Sequence, residues 1–201
     1  GATSVTGGLV PLLSGSNWGN NVSVEGFDAG PDTDTNSRYN EVRPGYFSTL
    51  GMPVLAGREI SAADGVDAPK VAMVNEAFAK KFNLGANPVG RMMGTGRSRT
   101  LDIRIVGLVK DAKYSDVKDE IPPLYFRPIL QNERIGALTF YVRTAIDPEV
   151  FLGNIPKTVA RIDPNLPVDE LRTLPQQIRE SFFLDRFISI MSASFAILAT
   201  L

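Results

Sequence analysis

Few residues in this chain could do chemistry, and the first constraint on them is compositional. There is no cysteine and no histidine in 201 residues. That removes thiolate nucleophiles, Cys/His zinc sites and every imidazole-based proton transfer. Serine–lysine chemistry and paired carboxylates remain. One Ser-x-x-Lys spacing occurs, Ser115 to Lys118, but the S-D-N and K-T-G partners that complete that catalytic set are missing. Asp102 with Asp111 and Asp119 with Glu120 are the carboxylate pairs that could divide acid and base roles. Pairs this common are usually surface charge, and only a strongly raised pKa in a closed pocket would single one out. No catalytic residue is assigned.

Two further stretches have ligand-like spacing. Asp32, Asp34 and Asn36 alternate within DAGPDTDTN. A calcium loop also needs a glycine after the third ligand and a closing glutamate, and Ser37 stands where the glycine belongs. The stretch reads as a solvated acidic loop. Gly94–Thr100 (GTGRSRT) is rich in Gly and Arg. A phosphate cradle needs the Walker spacing and a Lys-Ser/Thr pair opening a helix; here a strand follows, so a hairpin loop is expected. Arg91, Arg97, Arg99 and Arg104 read as a solvated cluster. No metal, nucleotide or other cofactor is expected.

The formal charge of −1 leaves no electrostatic footprint for nucleic acid. Apolar content of 43% excludes wholesale disorder. Absence of cysteine is compatible with an oxidising compartment without demonstrating one. The chain opens Gly-Ala-Thr-Ser-Val with no charged leader. Phe187 to Leu201 carries no charge. A run of that length suits a core helix or part of a membrane span. The expectation is the start of a transmembrane helix over 185–201, in a piece cut from a longer chain.

The elements organise around Arg43 to Phe82. Pro44 suits a first helical position and Gly51 a helix stop, with Tyr46, Phe47 and Leu50 as the apolar face between them. Val71 to Val74 is a strand feeding a helix through Asn75, an N-cap residue. Glu76 sits at that helix's positive end and Lys80 and Lys81 at its negative end. Phe78 and Phe82 form its buried stripe.

Strands are expected over 3–8, 21–27, 38–42, 54–60, 89–93, 102–109, 124–128 and 137–144 from their alternation and flanking turns. In the 102–109 strand Ile103, Ile105 and Val109 are placed on one face, and Gly107 signals a bulge or a close backbone approach. In 137–144, Leu138, Phe140 and Val142 are placed inward. Asp147-Pro148-Glu149 starts a helix, and Pro156 predicts a kink or restart near Asn154. Leu152, Ile155, Val159 and Ile162 are its helically spaced apolar residues. A last strand is expected over 168–171, then a helix opened by a Thr173–Gln176 capping box. The expected core holds Phe47, Leu50, Val71, Met73, Phe78, Phe82, Ile103, Ile105, Phe140, Val142, Ile155 and Val159.

The ordered set PGYFSTLGMPVLAGREI, VAMVNEAFAKKF, NPVGRMM, IRIVGLVKDAKY and PPLYFRPI resembles the extracytoplasmic domain of MacB/FtsX-type ABC-transporter permeases, most of all the duplicated orphan permease group. The likeness runs from about Tyr39 to the end and is loose before it. It implies an α+β fold in two lobes. Residues 1–57 with 137–184 would form a membrane-proximal strand–helix–strand lobe, and 58–136 a smaller, mostly β lobe inserted between them. It also implies a non-catalytic domain outside the cytoplasm, on an inner-membrane permease, that couples movement of transmembrane helices to a partner or cargo. ATP would be hydrolysed by a separate domain or subunit. The implied partners are that ATP-binding component, the membrane through the C-terminal helix, and a periplasmic protein or cargo. The resemblance allows a dimer in the full-length transporter.

Ile178, Phe182 and Phe183, beside the uncharged run, are the expected coupling residues. A membrane-tethered small-ligand sensor domain is the alternative class; it would need a closed apolar pocket and a following signalling coiled coil. A hydrolase working without His or Cys is the second alternative.

Overall fold

The computed structural model describes residues 1–180 and 191, except 17, 97–99, 116–117, 119 and 133–134. The strands are β1 (Ala2–Gly8), β2 (Gly19–Val24), β3 (Asn36–Val42), β4 (Val54–Gly57), β5 (Val71–Asn75), β6 (Met92–Thr95), β7 (Ile103–Val109), β8 (Leu124–Pro128) and β9 (Thr139–Thr144). The helices are α1 (Tyr46–Leu50), α2 (Glu76–Lys81), α3 (Pro148–Leu152) and α4 (Ile155–Ile162), followed by α5 over 174–180. The class is α+β, as expected.

The chain forms two compact units, Ala2–Arg143 and Gly1 with Thr144–Leu201. In the larger unit all nine strands belong to one hydrogen-bonded sheet, ordered β2-β6-β7-β5-β8-β3-β1-β9, with β4 on β7. β2 also pairs with β3. Val22 N donates to Thr35 O at 3.0 Å, and Gly96 N donates to Asn21 O at 3.0 Å. Backbone groups of successive strand residues point to opposite edges, so β3 and β6 flank β2 on different sides. The six strands β2, β6, β7, β5, β8 and β3 therefore return on themselves as a small barrel, which leaves no free edge around the ring.

The sheet runs across the expected domain boundaries. β2 and β3 come from the stretch placed in one lobe, and β5 to β8 from the stretch placed in the other, yet they build one ring. β4 and β5, on either side of the 57/58 boundary, both pair with β7. The physical reason is non-local: nothing within β2 announces that its second edge will meet β6, some seventy residues further on.

Two apolar clusters lie on the two faces of the sheet. One draws Val22, Val24, Ala72, Val74, Met93, Ile103, Ile105, Leu108 and Tyr125 from strands around the ring, and so fills its interior. Phe78, Ala79 and Phe82 join it, so α2 closes the ring where β5 leaves it. The other holds Val42, Tyr46, Phe47, Val71, Met73, Val106, Val109, Leu124 and Phe126, and places α1 on the outer face. β5 is buried at every position because alternate residues feed the two clusters.

Val109 thus faces away from Ile103 and Ile105. The parallel β5–β7 register slips between Ala72↔Ile105 and Met73↔Gly107. That bulge at Val106 flips the alternation for the rest of β7. The glycine signal was sound: a Cβ on Gly107 would overlap the Arg58 carbonyl oxygen.

Most helix ends follow the sequence. Asn75 Oδ1 accepts from Phe78 N at 2.9 Å, capping α2. The Asp147 carboxylate accepts from Glu149 N, Pro148 opens α3, and the helix restarts at Ile155 beside Pro156. Thr173 and Gln176 exchange the two bonds of a capping box, at 2.8 and 3.2 Å. α1 differs: Gly45, with φ 76°, is its N-cap, so Pro44 precedes the helix instead of opening it.

Phe140 is 58% exposed. On β9 it is Tyr141 that packs on the outer cluster, where its hydroxyl accepts from Leu12 N at 2.8 Å. Both faces of β9 carry apolar groups, and the hydrogen-bonding aromatic occupies the inner one. Val142, Ile155, Val159 and Leu50 are only partly buried. No strand forms over 168–171, and Ile162 is 82% exposed. Among the described residues no helix is long and apolar enough to cross a membrane. The expected start of a membrane helix over 185–201 lies outside them, save Met191.

Candidate coupling site

The described side chains that could do chemistry each have a structural place. Asp102 and Asp111 flank β7 at its two ends, which rules out a shared site. Asp102 Oδ2 meets Lys70 Nζ at 2.6 Å on the surface. Asp111 Oδ1 accepts from Ala77 N at 3.0 Å, while its own N–H donates to Glu76 Oε2 at 2.9 Å. The first of these bonds satisfies a first-turn amide of α2. Ser115 is buried and its carbonyl accepts from Gly15 N at 3.1 Å; Lys118 is exposed. Glu120 is exposed, and Asp119 lies outside the described residues.

The acidic loop is tied to α2. Lys81 Nζ donates to Asp34 Oδ2 and to Asn36 O, both at 2.7 Å. Asp34 Oδ1 accepts from Asn36 N at 2.8 Å. The Lys81 ammonium, then the Asn36 amide, hold the Asp34 carboxyl below its ordinary pKa. Asp32 points to solvent. Of the arginine cluster, Arg91 and Arg104 are exposed on β6 and β7 borders, and Arg97 and Arg99 lie outside the described residues.

The expected coupling residues divide. Ile178 is on α5 and partly exposed; Phe182 and Phe183 lie outside the described residues. Sequence reasoning missed a second place. The chain passes between its two units before Ala2 and after Arg143, and the strands that carry those points, β1 and β9, are neighbours. Thr3 Oγ1 donates to Arg143 O at 3.1 Å. Arg143 Nε donates to Thr49 O at 2.9 Å. In the smaller unit Thr144 Oγ1 and Ala145 N both donate to Gly1 O at 3.3 Å. An arginine near the end of an expected strand was the one sequence signal.

The larger unit is thus an α+β body whose first and last strands are neighbours. The chain belongs to the MacB-like periplasmic core domain family, whose profile matches residues 5–160. It is thus the periplasmic domain of a MacB-type ABC-transporter permease. The periplasmic region of MacB from Actinobacillus actinomycetemcomitans has a similar fold, with TM-score 0.53, 17% identity, 80% of this chain covered and 67% of that one. A domain of a putative permease from Porphyromonas gingivalis aligns with TM-score 0.51 and 16% identity, over 89% of this chain and 83% of its own. No curated protein sequence matches the chain.

Proposed function

We propose that the domain couples movement of the permease's transmembrane helices to the handling of a partner or cargo outside the cytoplasm. ATP is hydrolysed in a separate cytoplasmic domain or subunit, and the body described above performs no chemistry. The uncharged run after Arg186 anchors the chain in lipid. Ile178, on α5, and Phe182 and Phe183, further along the chain, are the coupling residues. The observation that supports this reading is the pair of adjacent exits, β1 and β9, tied by Thr3 and Arg143. A body held at one place by two bonded strands follows its attachment as a unit.

The test uses the full-length permease with its ATP-binding subunit in lipid nanodiscs. A spin label at Val66→Cys, on an exposed loop of the body, is measured against labelled lipid headgroups. The distance is expected to shift on adding ATP. A flexible Gly-Ser insertion between Glu180 and Ser181 should abolish the shift while ATPase activity survives. An unchanged shift with the insertion present would reduce the domain to a docking platform.

A further inference from the structure

β9 is the last strand of the sheet, paired on one side with β1. Phe140 is exposed, while Tyr141 packs on the outer cluster and its hydroxyl accepts from Leu12 N at 2.8 Å. β1 runs on into Val10, which is buried and paired with Asn40. A force entering at the exits therefore meets β1, held further along by the Val10–Asn40 pair, and β9, held by Tyr141 and by Arg143.

Arg143 lies at the β9 exit. Its guanidinium Nε reaches Thr49 O, a last-turn carbonyl that α1 cannot satisfy by itself. A cation is favoured at that helix end. Gly51, with φ 72°, caps α1 and has no side chain; a Cβ there would stand 3.1 Å from Arg143 Nη2. α1 in turn is pinned by the fully buried Tyr46 and Phe47. Through its carbonyl the same residue receives the Thr3 hydroxyl of β1. One residue thus fastens the departing strand to a core helix and to the other exit.

We propose that Arg143 is the clamp that keeps β9 fastened to α1 and β1 when movement of the membrane segments loads the body. It is a positioning residue, and its role rests on the coupling reading above. The helix dipole and the carbonyl geometry make it more than a surface charge: lysine cannot present the same planar N–H from the same distance along the side chain.

The experiment is hydrogen exchange on the full-length transporter, at rest and during ATP turnover, comparing wild type with Arg143→Ala. In the wild type β9 amide protection is expected to be the same in both conditions. In Arg143→Ala it should hold at rest and fall by about tenfold or more during turnover. Equal protection in variant and wild type under turnover overturns the proposal. So does an equal loss with and without ATP, which a merely structural contact would give. If Arg143→Ala does not fold, Thr3→Val removes the β1 tie alone and should give a smaller loss, again only during turnover. The Val66 label separates the two ideas. If it never moves with ATP, the coupling reading fails. If it moves and β9 stays protected in Arg143→Ala, only the clamp fails.

Discussion

Asn40 and Val10 pair as two backbones would. Val10 N donates to Asn40 Oδ1 at 2.9 Å, and Asn40 Nδ2 donates to Val10 O at 2.9 Å. Both residues are buried, so one side-chain amide continues the β1–β3 pairing beyond Gly8↔Val42 and the Leu9 N to Glu41 O bond. Asn40→Ala would leave a buried donor and a buried acceptor without partners. The expected loss is about 2–4 kcal/mol, read from the urea midpoint of the isolated domain. Asn40→Asp should lose nearly as much, because its second oxygen would face the Val10 carbonyl. A near-neutral alanine variant would mean that water replaces the amide at no cost.

Phe78 and Phe140 should separate in a truncation experiment. Phe78 is fully buried, 4.5 Å from the Phe82 ring centroid. Phe78→Ala is expected to cost ~3–5 kcal/mol. Phe140→Ala, on the exposed face of β9, should stay within roughly 0.5 kcal/mol. Comparable losses at the two positions would show that something covers Phe140.

Gly107→Ala tests the bulge. Its Cβ would run into the Arg58 carbonyl oxygen and stand 2.8 Å from Met73 Cε. The methionine can turn, but the carbonyl belongs to backbone at the end of β4. A destabilisation of about 1–3 kcal/mol is expected. An unaltered thermal midpoint would mean that β4 can leave β7 freely.

Acid stability should depend on Asp64. Its carboxylate meets the Arg58 guanidinium with two bonds of 2.7 Å and accepts from Ser61 N at 2.8 Å. The Arg58 contact, opposed by burial and helped by Ser61, lowers its pKa. A carboxyl whose folded pKa lies below its unfolded one stabilises the fold above the unfolded value, about 3.9. That contribution is lost as pH falls through the lower, folded pKa. Asp64→Asn should therefore be less stable at neutral pH and show a shallower loss below about pH 4. Parallel acid limbs in the two proteins would remove Asp64 from the account.

Local chemistry was legible where one stretch of chain decides the outcome. Asn75 was readable as a cap because its acceptor serves an amide three residues away, and Thr173–Gln176 and Asp147-Pro148 for the same reason. The restart at Ile155 follows from Pro156 lacking an N–H. Phe78 and Phe82 were readable because an amphipathic helix has only one face to bury. β9 was harder: alternation places Phe140 inward, yet Phe140 is exposed and Tyr141, of the other parity, packs on the outer cluster. The neighbour at Leu12, which offers Tyr141 an N–H, made the choice.

The candidate site was the least legible part. Arg143 became a joint only because β1, β9 and the end of α1 converge on it, from positions some forty to one hundred and forty residues apart in the chain. By itself the sequence determined the family, the α+β class, most helix ends and the exclusion of thiol and imidazole chemistry, since these depend on residue type and short spacing. Tertiary structure alone decided that strands from both expected lobes close into one ring, and that the two exits lie side by side. Strand partners are selected by burial of whole faces and by hydrogen bonding at distant edges, and neither is written in the residues of a single strand.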